Sequence, residues 1–105
     1  MIPRRVTYSP EARLDLLRIY DWIADAASPT TAFAYVGRLE AYLRTLDLAA
    51  ERGRRRDDIR PGLRTVSFER RLCIAFAIED FGVTILRVFY GGRDWEAALR
   101  DAEET

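Results

Sequence analysis

Histidine and lysine are both missing from this 105-residue chain, and all 17 of its cationic side chains are arginine. The absence removes the two usual general bases near neutral pH, and with only one cysteine it excludes a His/Cys metal site. Arginine, with a pKa above about 12, binds anions and stabilises charge but does not trade protons. The single Cys73 cannot close an intramolecular disulfide. It lies in an alternating apolar run and reads as a small core residue of a reduced cytoplasmic protein rather than as a nucleophile. No apolar run approaches the roughly 20 residues that span a bilayer. The opening "MIPRRVTYSP" lacks the apolar stretch of a signal peptide. The expectation is therefore a protein with no membrane segment, no metal and no cofactor.

What is present is ordinary for one globular domain over residues 1–105: 49% of residues are hydrophobic and 32% charged. The net charge is zero but unevenly spread. Residues 52–71 hold eight arginines against Asp57, Asp58 and Glu69, whereas residues 94–105 hold five acids against Arg100. A basic middle suits an acidic or nucleic-acid partner, and it equally suits a solvated loop that keeps the chain soluble.

"RRVTYS" (4–9) reads as a short opening strand. "SPEA" then supplies an N-cap in Ser9, a first helical residue in Pro10 and a first-turn acid in Glu11. Ala12, Leu16, Ile19, Tyr20 and Ile23 follow at helical spacing. Ser28 and Pro29 start a second helix, with Phe33, Val36, Leu39, Leu43 and Leu46 as its expected inward face. So short a connection predicts an αα-hairpin. Periodicity lapses from about 49 to 62 in a charged loop. It returns with period two in "LRTVSFE" (63–69), "LCIAFAI" (72–78) and "VTILRVFY" (83–90), joined by turns at "ERR" and "EDFG". The last strand is apolar on both faces and belongs at the centre. Beyond Gly91-Gly92, Asp94 is placed to cap a short helix that leads into an acidic tail over 99–105. The expected fold is α+β in the order β-α-α-β-β-β, a helical hairpin packed on an antiparallel sheet.

Several residues carry both a binding and a structural reading. Arg87, inside an apolar strand, either meets a partner or phosphate or pairs with a carboxylate such as Asp94. Arg93 either faces a ligand or latches onto Asp57 or Asp58. Arg70 and Arg71 sit at a hairpin tip, in reach of phosphate or an acidic protein face. Trp95 either anchors the C-terminal segment or acts as a partner hot spot. Leu17 and Trp22 lie off the main apolar face of the first helix, where an exposed strip suits a docking helix or strand.

The succession "YSPEARLDLLRIYDWIA", "GRRRDDIRPGLR" and "ILRVFYGGRDWE" resembles, in order and spacing, the ParE branch of the RelE/ParE toxins of bacterial type II toxin–antitoxin systems. The likeness spans about residues 4–98 and rests on the combination rather than on any one piece. It implies the RelE/ParE-like fold and one of two mechanisms. RelE-like relatives cleave mRNA on the ribosome. ParE-like relatives bind DNA gyrase and block replication without catalysis of their own. Either kind is held inactive by a cognate antitoxin, ParD-like and ribbon-helix-helix in this branch, and operator DNA is contacted only through that antitoxin.

RelE-like relatives carry basic residues, lysines among them, on the strand matching 63–69 and an arginine after the glycine turn, and the resemblance implies a tyrosine six residues further on. The chain offers Arg64 alone on that strand, Arg93 after the turn, and Leu99 where the tyrosine belongs. Losing a proton-transfer group costs on the order of 10²–10⁴ in rate. The resemblance therefore implies a gyrase inhibitor with no catalytic residue. Arg64, Arg70, Arg71, Arg93 and Trp95 are its candidate partner or phosphate contacts, and Leu17 and Trp22 its candidate antitoxin contacts. An mRNA endonuclease and a non-toxic co-repressor are the alternatives.

Overall fold

Both Ser-Pro pairs start helices for the reason their residue types suggest. In the computed structural model, which describes residues 5–90, α1 runs over Pro10–Ala26 and α2 over Pro29–Arg44. The Ser9 hydroxyl oxygen accepts the Ala12 amide at 3.0 Å, and that of Ser28 accepts the Thr31 amide at 3.1 Å, filling donors that a helix start leaves open. Proline follows each cap, where its missing N–H costs nothing. Ser9 has a second task invisible in the sequence. Its hydroxyl donates to the Leu86 carbonyl at 2.8 Å and its amide to that of Ile85 at 2.9 Å, tying the start of α1 to the far end of the chain.

The stretch expected to be loop carries short elements: α3 (Leu46–Ala49), a 3₁₀ turn (Ala50–Arg52) and β2 (Arg54–Arg55). With β1 (Arg5–Tyr8), β3 (Leu63–Phe68), β4 (Leu72–Glu79) and β5 (Gly82–Tyr90), β2 completes a five-stranded sheet in the order β1-β5-β4-β3-β2. β3 to β5 are antiparallel as expected, and β2 joins β3 in the same sense. The first edge differs: β1 runs parallel to β5, from Arg5 opposite Gly82 to Tyr8 opposite Ile85. A four-residue run shows no direction in its pattern, because direction is set by the helices that return the chain over the sheet. Gly82 admits this pairing, since a Cβ there would collide with the Arg5 carbonyl oxygen.

Register slips between Ala75 and Phe76, so that Leu86 is an extra residue on β5. The bulge switches the helix-facing set from Val83 and Ile85 to Val88 and Tyr90. These side chains, with Leu72, Ile74 and Phe76 of β4, meet Ala12, Ile19 and Ile23 of α1 and Ala32, Leu39 and Leu43 of α2. Phe33 is not among them and stands 76% exposed. Its place inward is taken by Ala32, because Ala32, Tyr35, Leu39 and Tyr42 repeat at the same helical spacing one residue earlier. Two rotations of α2 fit one periodicity, and packing on Phe68 selects the one that buries the tyrosines.

On the opposite sheet face Leu63, Ala75 and Phe89 form a second cluster with Ile59, Leu86 and Cys73. Cys73 is half-buried among apolar neighbours. The expected helix from Asp94 and the acidic tail 99–105 lie outside the described residues. Among the described residues, no helix is long and apolar enough to cross a membrane.

Candidate functional site

Arg87 emerges from β5 just after the bulge, and its partner is Asp15 of α1 rather than a residue beyond the glycine turn. The Asp15 carboxylate accepts Nε of Arg87 at 2.8 Å, its Nη2 at 3.2 Å and the Val88 amide at 2.9 Å. Asp15 is only 5% exposed, so a bidentate, amide-supported partner is what makes its charge tolerable. The same bond holds the Arg87 guanidinium above its ordinary pKa. The planar fork also covers the Phe89 ring, 4.8 Å from its centroid. Sequence spacing favoured a nearby acid, and Asp15 is 72 positions away. The available signal was an aspartate at the i+3 position from Ala12, on the apolar face of α1.

The other arginines divide in the same manner. Arg64 on β3 is half-buried, and its Nη1 donates to the carbonyls of Gly53 at 3.1 Å and Glu51 at 3.3 Å. Arg55 pairs with Asp57 at 3.2 Å and Arg56 with Asp58 at 2.9 Å, which offsets much of the positive loop locally. Arg70 is exposed at the tip of the β3–β4 hairpin. Arg71, one residue on, leans toward α1 and α2. Arg93 and Trp95 lie outside the described residues.

Arg71 meets Trp22 at an apolar depression. The Trp22 indole, 44% exposed, packs on the Tyr90 ring with centroids 4.3 Å apart. A hollow opens on each side of this pair. One, of about 190 Å³, is bounded by Asp15, Arg18 and Val88. The other, of about 210 Å³, is bounded by Thr31, Tyr35 and Arg71. The walls of both are mainly apolar, with one arginine on each rim. The Tyr35 hydroxyl is buried and has no hydrogen-bond partner among the described residues. Burial first, and then the field of Glu69, raise its pKa above the ordinary tyrosine value. Tyr35 thus brings a buried polar group with unspent hydrogen-bonding capacity to the wall of the hollow.

Leu17, 63% exposed, lies elsewhere, in a groove of about 450 Å³ between α1 and α2 whose other walls include Tyr20, Val36, Arg13 and Glu40. The structure thus brings Trp22 and Arg71 together and leaves Leu17, Arg64 and Arg70 apart. Tyr35 and Tyr90 were missed, because each reads as ordinary core until the depression around Trp22 is visible. Chemically the arrangement suits binding: two apolar hollows, cationic rims and an orphan donor. Among the described residues no cluster of His, Cys, Asp or Glu converges to hold a metal ion.

A family model described as the ParE toxin of the type II toxin–antitoxin system parDE matches residues 6–95. Among solved structures, the chain is similar to one titled "Chromosomal ParDE TA system from P. aeruginosa". The two share 26% identity with a TM-score of 0.74, over 84% of this chain and 96% of that one. No curated protein matches it by sequence.

Proposed function

Because the chain belongs to the ParE toxin family of type II toxin–antitoxin systems, we propose that it arrests growth by binding rather than by catalysis. DNA gyrase in the cytoplasm is its target. A cognate ParD-like antitoxin of ribbon-helix-helix type holds it inactive, and operator DNA is reached only through that antitoxin. The observation that carries the non-catalytic reading is the state of the arginines. A ribonuclease needs guanidinium groups free to meet a phosphorane and a proton carrier beside them. Arg87 spends its fork on Asp15, and Arg64 spends Nη1 on two backbone carbonyls. Neither histidine nor lysine exists in the chain to move the proton.

The Trp22–Tyr90 depression is the antitoxin seat. An antitoxin segment with apolar side chains spaced to fill the two hollows would place acidic groups near Arg18 and Arg71 and an acceptor near the Tyr35 hydroxyl. Burying an aromatic pair of this size inside a contact is the usual source of a binding hot spot. Leu17, outside this depression, contributes less to that contact than Trp22. Arg70, Arg93 and Trp95 are left for the target.

Induction of the chain without antitoxin tests the reading. Filamentation, an SOS response and gyrase trapped on cleaved DNA are the expected results. Immediate arrest of translation with cut mRNA would overturn it in favour of the endonuclease, and unchanged growth would leave only a co-repressor.

A further inference from the structure

The helical hairpin carries a second apolar surface that the Trp22 depression does not use. Phe33, Val36, Gly37 and Glu40 follow one another at i, i+3, i+4 and i+7 along one strip of α2. Phe33 is the most exposed large apolar side chain among the described residues, at 76%. The strip borders the groove between α1 and α2 that Leu17 walls. Gly37 lies mid-helix, where glycine is unfavourable. A Cβ added there would meet nothing within 4 Å, so no contact among the described residues accounts for the glycine. A bare backbone flanked by a projecting ring is what close approach of a second helix requires.

We propose that this strip of α2, with Leu17 of α1, is a self-association surface, through which two copies pack their hairpins antiparallel about a two-fold axis at Gly37. The strip is complementary to itself in that arrangement. Phe33 lies one turn before Gly37, and Glu40 and Ala41 lie one turn after it. The axis therefore sets Phe33 of each copy over the Glu40 end of the groove on the other, and glycine over glycine at the crossing. Arg13 and Glu40 place one charge of each sign on the groove rim. The chain as a whole has no net charge at neutral pH. A second copy thus approaches without repulsion, whereas a strongly acidic or basic partner gains nothing here.

The extent of the surface sets the strength. A 16-residue helix is about 24 Å long at about 1.5 Å per residue. Two helices side by side then offer a face on the order of 500 Å² per copy, at the low end for specific association. The dimer is accordingly weak, and it leaves the Trp22 depression uncovered for an antitoxin. It requires neither gyrase nor any other target, so it stands independently of the proposed mode of toxicity.

Sedimentation equilibrium of the full-length chain, freed of antitoxin and loaded from about 1 to about 200 μM to bracket a weak interface, is the test. The wild type is expected to pass reversibly from monomer to dimer. Phe33→Ala and Gly37→Arg are each expected to weaken the dimer at least about tenfold. Both positions face solvent, so unchanged far-UV circular dichroism checks that the variants are folded. A wild type that stays monomeric throughout, or a dimer equally strong in both variants, overturns the proposal. So does a monomeric wild type whose two variants lose antitoxin binding, which would assign the strip to the antitoxin.

Discussion

Asp15 of α1 and Arg87 of β5, 72 positions apart, form a bidentate ion pair at 2.8 and 3.2 Å, and the same carboxylate accepts the Val88 amide at 2.9 Å. One aspartate therefore fixes the angle between α1 and the strand it crosses. Asp15→Ala leaves both the guanidinium and a buried amide without their acceptor. The expected cost is about 3 kcal/mol, the lower part of the range for a broken buried pair because Arg87 keeps some contact with water. Asp15→Leu combined with Arg87→Met is expected to recover part of that loss, because it removes the stranded charge but leaves the Val88 amide without its acceptor. Urea unfolding of the wild type and the two variants measures both effects, and a double variant no better than Asp15→Ala would contradict the account.

Ser9 is a cap and a tether at once, holding the Ala12 amide and the Leu86 carbonyl with one hydroxyl. Ser9→Ala loses both bonds and is expected to cost about 2 kcal/mol, against about 1 kcal/mol for a cap alone. Ser28→Ala is the matched control, since its hydroxyl bonds only within its own helix start. Thermal unfolding of the pair should place Ser9→Ala clearly lower.

Tyr35→Phe is expected to act in opposite directions on the free chain and on the complex. Removing a buried hydroxyl that has no partner should stabilise the free chain by about 1 kcal/mol. If the antitoxin supplies the missing acceptor, the same change should weaken its binding about five- to tenfold, as titration calorimetry would register. The pH dependence follows from the raised pKa of Tyr35 and of Tyr8, both caused chiefly by burial. In the unfolded chain these phenols ionise near about pH 10, whereas the folded chain retains their protons to higher pH. Stability should be flat below that value and fall as pH rises above it. The fall should be shallower in Tyr35→Phe.

Among the described residues, Gly82 is the one glycine at which a methyl group meets backbone on a neighbouring strand, that of Arg5. Because backbone cannot yield as a flexible side chain does, Gly82→Ala should strip β1 from the sheet. The expected signature is rapid hydrogen exchange at Val6 to Tyr8, with a loss of at least about 2 kcal/mol.

The β3–β4 hairpin turns through Glu69 and Arg70 at φ values of 49° and 61°, a conformation better suited to glycine. Arg70→Gly should relieve that strain and raise stability by about 0.5–1 kcal/mol. Glu69 is best left in place because it pairs with Arg38 at 3.3 Å. A fall in melting temperature for Arg70→Gly would show that the arginine itself holds the turn.

The parts legible in the sequence are those set by neighbouring residues. Ser9-Pro10 and Ser28-Pro29 announce two helices, strict alternation from Leu72 to Ile78 announces a strand, and the doubly apolar 83–90 announces a central one. Each is a local pattern with a local cause. The direction of β1, the bulge at Leu86 and the partner of Arg87 depend on how distant segments meet. Phe33 misled for a related reason: helical spacing fixes the width of an apolar face but not which of two adjacent rotations packs. Among candidate contacts, Trp22 and Arg71 could each be singled out early. That they share a depression with Tyr35 and Tyr90 is a product of the assembled fold.

The tether from Ser9 to β5 and the parallel pairing of β1 with β5 have a bearing on how the protein comes into being. Among the described residues the first strand pairs only with β5, and the first helix is tied to that strand through Ser9 and Asp15. A nascent chain still lacking that strand can pack α1 on α2, but it cannot pair β1, close the Asp15 pair or bring Tyr90 to Trp22. Contacts between such remote segments form late and together. A polypeptide that stops short of β5 is therefore expected to lack the assembled Trp22–Tyr90 depression. Fragments that end before β5 are expected to be inert, which leaves an antitoxin only chains that carry that strand to restrain.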